Sequence, residues 1–178
     1  MKYRHLGNSG LEVSVIGLGT NNFGGRMEFK EAREVIFAAI DEGMNLIDTA
    51  NIYSHGNSEE IIGRSLVDRR DEVLIATKFG MLWEEGPHGK GGSRKHIVES
   101  LEGSLRRLQT DYVDLYQIHK QDPDTPIDET LRALDDMVKD GKVRYIGLSN
   151  FDPWRIADAQ WTAKHNGYTP FISSQPEY

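Results

Sequence analysis

The 178-residue sequence contains no cysteine. The chain therefore has no disulfide framework, no thiolate nucleophile and no metal site built on cysteine ligands. Its first ten residues, MKYRHLGNSG, lack the apolar core of a signal peptide. Its longest apolar runs fall far below the roughly 20 residues that a membrane-spanning helix needs. These absences lead us to expect a cytoplasmic protein with no membrane partner.

The sequence also lacks a cluster of basic residues. The formal net charge is −7, and acidic and basic residues are interleaved along the chain. We therefore expect no nucleic-acid partner, and a small molecule is favoured as the ligand. The histidines show no paired spacing such as HExxH, so no metal site is expected. The apolar fraction of 38% is sufficient for a packed core.

Short strand-like runs alternate with longer helix-like segments along the whole chain. Most of the strand-like runs are apolar at successive residues, which is typical of a parallel sheet buried on both faces. The predicted strands are residues 14–19, 45–48, 73–78, 112–119, 143–149 and 171–175. The predicted helices are residues 29–42, 58–67, 94–108, 127–139 and 153–166. Residues 3–15 are predicted to form a β-hairpin that precedes the first strand of the repeat.

A βα repeat folds either as a doubly wound sheet or as a barrel. Gly17-Leu18-Gly19 is followed by Asn22 where the GxGxxG fingerprint requires its third glycine, so a Rossmann domain is not indicated. Polar residues instead follow successive strands, at the end where barrel enzymes build their sites. These residues are Asp48, Lys78, His119, Ser149, Asn150 and Gln175. We therefore predict the first six βα units of a (β/α)₈ TIM barrel.

Two segments carry the motifs of a known family. Residues 43–50, GMNLIDTA, with the following Tyr53, Glu59 and Gly63, resemble the first aldo-keto reductase signature, and residues 144–151, RYIGLSNF, resemble the second. Residues 111–122 and 173–178 are similar to the branch that includes bacterial general reductases and potassium-channel β subunits. Met44-Asn45 departs from the aromatic and arginine of many members. The resemblance implies NADPH-dependent reduction of an aldehyde or ketone.

The resemblance implies a catalytic tetrad at Asp48, Tyr53, Lys78 and His119. Carbonyl reduction leaves negative charge on oxygen, and a free tyrosine, with a pKa near ~10, gives up its proton reluctantly at neutral pH. We expect Lys78 to lower the pKa of Tyr53 and Asp48 to keep Lys78 charged. His119 is expected either to orient the carbonyl oxygen or to share in proton transfer.

Taken one at a time, these residues have simpler interpretations. Asp48 is compatible with a turn or helix N-cap, Tyr53 with packing in a loop, and Lys78 with a solvated strand end. Their common position, at or just beyond the ends of three consecutive strands, favours a shared site. A Schiff-base lyase that uses Lys78 is a further alternative.

The resemblance also implies an extended NADPH across the barrel mouth. Its expected contacts are Thr20, Asn21, Asp48, Ser149, Asn150 and Gln175. Amide and hydroxyl side chains offer the donors and acceptors that a nicotinamide carboxamide requires. Ser149-Asn150 is also compatible with an N-cap of the following helix. Phe23 and Trp83 are expected either to wall the substrate pocket or to pack against the protein.

A closed barrel typically needs ~250 residues, whereas this chain reaches only the sixth predicted strand. We therefore treat residues 1–178 as one truncated barrel domain that is inactive in isolation. The resemblance implies that the missing part would hold the determinants of NADPH preference and substrate choice. An alternative function is a cofactor-binding, redox-sensing subunit with little catalysis. His119 favours the reductase, because the channel subunits carry a different residue at this place.

Overall fold

The computed structural model describes residues 1–177. Tyr178, the last residue of the 173–178 motif, lies outside the described residues. An antiparallel hairpin of β1 (Tyr3–His5) and β2 (Glu12–Ser14) comes first. The parallel strands are β3 (Leu18–Gly19), β4 (Leu46–Asp48), β5 (Leu74–Phe79), β6 (Val113–Ile118), β7 (Val143–Ser149) and β8 (Ser173–Gln175). The helices are α1 (Phe29–Asp41), α2 (Asn57–Ser65), α3 (Arg94–Leu108), α4 (Ile127–Lys139) and α5 (Pro153–Asn166).

The six parallel strands lie in one curled sheet in the order β3-β4-β5-β6-β7-β8. A doubly wound sheet would reverse its strand order at a switch point, whereas a barrel adds each strand beside the previous one. The half-barrel architecture and the N-terminal hairpin are therefore confirmed. Because all six strands are parallel, their carboxyl ends meet at one edge of the sheet.

Two predicted strands start more than one residue away from the observed starts. The first barrel strand is only Leu18–Gly19, and Ser14 instead ends β2 of the hairpin. Val15 and Ile16 connect the two strands and are exposed. A continuous β-prone run gave no sign of this break, because hairpin and barrel strands share the same composition. The last strand begins at Ser173 rather than at residue 171.

Glycine follows the ends of three helices. Gly43, Gly141 and Gly167 follow α1, α4 and α5 and adopt the left-handed conformation that lets the chain leave a helix. The start of α5 has a proline but no side-chain cap. Pro153 is in its first turn, but the Asp152 side chain makes no cap hydrogen bond and instead accepts from Gln121 Nε2 at 3.0 Å.

The core lies between the curled sheet and the helices outside it. Strand residues such as Ile75, Phe79 and Tyr116 pack against helix residues such as Ile97 and Leu101, and all five are less than 2% exposed. Full burial of each such aliphatic or aromatic side chain contributes about 1.5–3 kcal/mol. Within residues 1–177, none of the helices is long and apolar enough to cross a membrane.

Gly63 permits the close approach of α2 to α3. A Cβ atom at this position would lie 2.6 Å from the carbonyl carbon of Leu108. We expect Gly63→Ala to destabilise the protein, because overpacking costs about 1–3 kcal/mol and the better helix propensity of alanine returns at most about 1 kcal/mol. Gly10→Ala is the control, since nothing lies within 4 Å of its Cβ position. Equal urea midpoints for the two variants would show that the helices can separate without cost.

Candidate active site

A buried ion pair joins the carboxyl ends of β4 and β5. The Lys78 side chain is 2% exposed, and its Nζ donates to Asp48 Oδ1 at 2.8 Å, to Asp48 Oδ2 at 2.7 Å and to the carbonyl of Thr49 at 2.9 Å. These three bonds use every proton of the ammonium group. Burial lowers the pKa of Lys78, and the charge and hydrogen bonds of Asp48 act against that shift. Lys78 is therefore held by its partner and is not a free amine.

Tyr53 lies at the start of a strained turn that leads from β4 into α2. Ser54 and His55 adopt left-handed backbone conformations, with φ of 49° and 51°, and Gly56 follows at 91°. For residues with a side chain this conformation costs roughly 1–2 kcal/mol each. The turn carries the Tyr53 ring to 5.3 Å from Lys78 Nζ. It also sets Tyr53 edge-on to His119, with the ring centroids 5.8 Å apart. All four predicted tetrad residues thus lie together.

The expected lowering of the Tyr53 pKa is wrong for this arrangement. Burial raises the pKa of Tyr53, and the negative charge of Asp48 raises it further. Burial disfavours the charged phenolate, and the Lys78 ammonium faces the Asp48 carboxylate, so that the pair presents little net positive charge to the phenol. Tyr53 is therefore held protonated at neutral pH.

His119 follows β6 and is held in its neutral form. Burial and the nearby Lys78 charge lower its pKa to about 4, with Asp48 acting in the opposite direction. Its Nδ1 is buried and has no hydrogen-bond partner among the described residues. At neutral pH the imidazole can donate from one nitrogen and accept at the other.

A chain of polar side chains runs along the mouth from Asp48 to Asn150. Gln175 Nε2 donates to Asp48 Oδ2 at 3.3 Å, and the Gln175 carbonyl accepts from Ser149 Oγ at 2.7 Å. The Asn150 amide donates to Ser149 Oγ at 2.9 Å and to the carbonyl of His119 at 3.3 Å. The N-cap residue of α5 is Asp152, so the N-cap alternative does not describe Ser149 or Asn150. The Gln175 and Asn150 residues are exposed at the mouth.

The chain of polar groups borders a cavity of about 350 Å³ inside the curled sheet. Asp48, Gln175 and Gln117 line it at the mouth side, and Leu6 of the hairpin region also lines it. Gln117, which is not among the predicted site residues, donates from its Nε2 to Gln175 Oε1 at 3.3 Å. Gln117 precedes His119 by two residues. Because side chains alternate along a strand, that spacing was the signal that both face the same side.

Of the two predicted cofactor contacts after β3, one is exposed and the other is buried. A predicted pocket residue nearby is also buried. Asn21 is exposed, whereas Thr20 is fully buried. The Thr20 hydroxyl donates to the Asp48 carbonyl at 2.9 Å and accepts from the Ser58 hydroxyl at 2.8 Å. Phe23 is 3% exposed and belongs to the core, so the packing alternative describes it.

Trp83 is partly exposed on the loop after β5. Its ring is stacked on His55 with centroids 4.2 Å apart, and the Arg107 guanidinium lies 4.8 Å from the Trp83 ring centroid. Arg107 in turn bonds the fully buried Glu59 through Nε and Nη2, each at 2.8 Å. The motif contained Glu59, but the role of the ion pair was missed, because its partner lies 48 residues away and no local pattern links them.

Comparison with known proteins agrees with this architecture. A model described as the aldo/keto reductase family matches residues 15–178. The chain belongs to this family. It is thereby a member of a family of oxidoreductases, and the family resemblance of its two motifs is confirmed.

Relatives of this aldo/keto reductase chain include proteins named as potassium channel subunits and proteins named as reductases or oxidoreductases. The chain is 41% identical over 183 residues to a probable voltage-gated potassium channel subunit beta of Oryza sativa subsp. japonica, covering 100% of this chain and 55% of that protein. It is 45% identical over 157 residues to the aldo-keto reductase YhdN of Bacillus subtilis (strain 168), covering 85% and 47%. The uncharacterized oxidoreductase YrpG of the same strain is 41% identical over 192 residues, covering 100% and 58%. The chain thus spans about half the length of these relatives.

The buried ion pair is expected to affect the stability of this aldo/keto reductase chain. Asp48→Asn leaves a buried ammonium without its charge partner, which costs about 3–5 kcal/mol of the free energy of unfolding. Glu102→Gln, which removes the partner of the solvated Lys142, is the control and costs at most about 1 kcal/mol. Urea denaturation measures both.

The double variant Asp48→Asn/Lys78→Met completes this experiment. It is expected to recover most of the loss, because removing both members of a buried pair is nearly neutral. An Asp48→Asn protein that unfolds at the wild-type urea concentration would show that the pair does not bear on the stability of the sheet edge.

Proposed function

We propose that the protein containing this chain reduces aldehydes or ketones with NADPH. The observation that carries the proposal is the Asp48–Lys78 ion pair with Tyr53 and His119 beside it at the mouth. Asp48, Tyr53, Lys78 and His119 then form the catalytic tetrad. The substrate is a small carbonyl compound that enters the mouth.

Tyr53 is the general acid in this proposal. When bound, NADPH supplies a hydride, which brings two electrons and one hydrogen to the carbonyl carbon. As the C=O π bond breaks, its electron pair takes the Tyr53 hydroxyl proton and the product is an alcohol. The raised pKa of Tyr53 keeps that proton in place until negative charge develops on the substrate oxygen. Lys78 keeps the Asp48 carboxylate paired, so that the phenolate that remains does not face an unpaired negative charge.

His119 orients the carbonyl in this mechanism. With its pKa lowered to about 4, the imidazole is neutral and can donate a hydrogen bond without carrying positive charge. A neutral donor fixes the carbonyl oxygen near the Tyr53 hydroxyl, which lies on the neighbouring turn. We therefore assign His119 to orienting the carbonyl oxygen rather than to proton transfer.

The polar side chains at the mouth offer the hydrogen-bond donors and acceptors that a nicotinamide needs. Gln175 and Asn150 are exposed amides, and Ser149 and Asp48 hold them in place. These amides would bind the carboxamide and so fix which ring face meets the substrate. Asn21 is the remaining exposed candidate after β3. Thr20 is assigned a supporting role, because its hydroxyl is buried in bonds to protein groups.

A second candidate function is a cofactor-binding subunit that reports redox state to a partner. It is favoured by the 41% identity to a probable voltage-gated potassium channel subunit beta. A steady-state assay of the full-length gene product with a panel of aldehydes separates the two functions. Turnover below about 1 s⁻¹ for every substrate, the lower end of typical enzyme rates, favours the sensing role.

Tyr53→Phe tests the general acid. Since a positioned acid contributes about 100- to 10,000-fold, we expect kcat for carbonyl reduction by the full-length gene product to fall by that factor. NADPH binding, followed by its fluorescence, should be unchanged. Tyr112→Phe, which removes a hydroxyl beside Arg70 and Arg144 away from the mouth, should keep wild-type turnover. Unreduced kcat in Tyr53→Phe would refute the assignment.

A further inference from the structure

We propose that Trp83 is a positioning residue, which clamps the left-handed turn after Tyr53 and so determines where the Tyr53 hydroxyl lies. The inference rests on the proposed function for its catalytic meaning. Its structural content, the coupling of Trp83 to the position of Tyr53, can be tested without turnover.

The turn needs an external support. Ser54 and His55 hold left-handed conformations that residues with side chains disfavour, and the turn begins immediately after Tyr53. Such conformations persist where surrounding contacts over-determine them. A relaxed turn would move Tyr53, because the strained residues and the ring are adjacent in the chain.

Trp83 supplies that support from the loop after β5. Its ring is nearly parallel to the His55 imidazole, at 6° and 4.2 Å between centroids. Gly56 completes the contact, because a Cβ atom there would lie 2.7 Å from Arg107 Cδ and 3.4 Å from Trp83. The turn is thus packed against Trp83 through both His55 and the bare backbone of Gly56.

Arg107 anchors the tryptophan to the interior. Its guanidinium lies 4.8 Å from the Trp83 ring centroid while it bonds the carboxylate of Glu59, whose side chain is 0% exposed. The other Glu59 oxygen accepts from Thr77 Oγ1 at 2.5 Å, and Thr77 immediately precedes Lys78 on β5. One set of contacts therefore ties the turn that carries Tyr53 to the strand that carries Lys78.

This assignment differs from a wall of the substrate pocket. The cavity that Trp83 lines is formed with α3 residues such as Ser100 and Arg106, whereas the cavity beside Asp48 and Gln175 does not include Trp83 among the described residues. A pocket wall would change substrate affinity according to substrate size. A clamp on Tyr53 would change the chemical step for every substrate alike.

The test follows Tyr53 directly in the 178-residue chain. Tyrosine labelled with ¹³C at Cζ gives one NMR signal for each of the seven tyrosines, and Tyr53→Phe assigns the signal of interest. We expect Trp83→Ala to shift and broaden the Tyr53 signal while the other signals hold, and Trp83→Phe to restore most of the wild-type signal. Trp154→Ala is the matched control, because Arg155 lies 4.8 Å from the Trp154 ring centroid in an equivalent stack on exposed α5.

A Tyr53 signal in Trp83→Ala that coincides with the wild-type signal would overturn the proposal. If Trp83→Ala does not fold, Arg107→Lys gives the second measurement. It retains the charge beside Glu59 and removes the planar group that stacks on Trp83. The same shift of the Tyr53 signal is expected there, and an unmoved signal again contradicts the clamp.

A kinetic comparison separates this inference from the proposed function. In the full-length gene product, Trp83→Ala should lower kcat roughly 100-fold, the cost of a misplacement of about 1 Å, by the same factor for a small and a large aldehyde and with KM unchanged. A change confined to KM that grows with substrate size would overturn the clamp in favour of a pocket wall. Wild-type protein without turnover would instead contradict the proposed function, and the NMR result would still decide the clamp.

Discussion

The site depends on one buried ion pair at the carboxyl edge of the sheet. Lys78 is 2% exposed, and an ammonium in such a place is tolerated only with a charge partner and satisfied protons. Asp48, on the adjacent parallel strand, provides both carboxylate oxygens, and the Thr49 carbonyl takes the third bond. The pairing works because β4 and β5 are parallel neighbours, whose carboxyl ends lie at the same edge of the sheet.

The same burial sets the protonation of the other two groups. It raises the pKa of Tyr53 and lowers that of His119 to about 4, so that the phenol and the imidazole are both neutral near pH 7. The ion pair contributes in opposite senses, since the Asp48 charge raises the pKa of Tyr53 and the Lys78 charge lowers that of His119. A phenol that retains its proton beside a neutral hydrogen-bond donor suits the carbonyl reduction that we propose, in which the charge appears only as hydride arrives.

The repeat was predictable from sequence because it follows from local order, and the common position of the four proposed tetrad residues was predictable from the strand ends and the family motifs. Lys78 lies one residue before the end of β5 and His119 directly follows β6, and parallel pairing brings those strand ends together. The direction of the Tyr53 pKa was not predictable, because it depends on how far the phenol is buried and on whether Lys78 faces the phenol or Asp48. The contact of Trp83 with Arg107 was not predictable either, because these residues are distant in sequence and meet only after the helices pack.

The ion pair and burial together keep the Tyr53 phenol protonated. A pH titration of the Tyr53 Cζ signal, assigned by its loss in Tyr53→Phe, measures that pKa directly. We predict a midpoint above the ordinary tyrosine value of about 10. A midpoint at or below that value would contradict the account, because the Lys78 charge would then act on the phenol without compensation from Asp48.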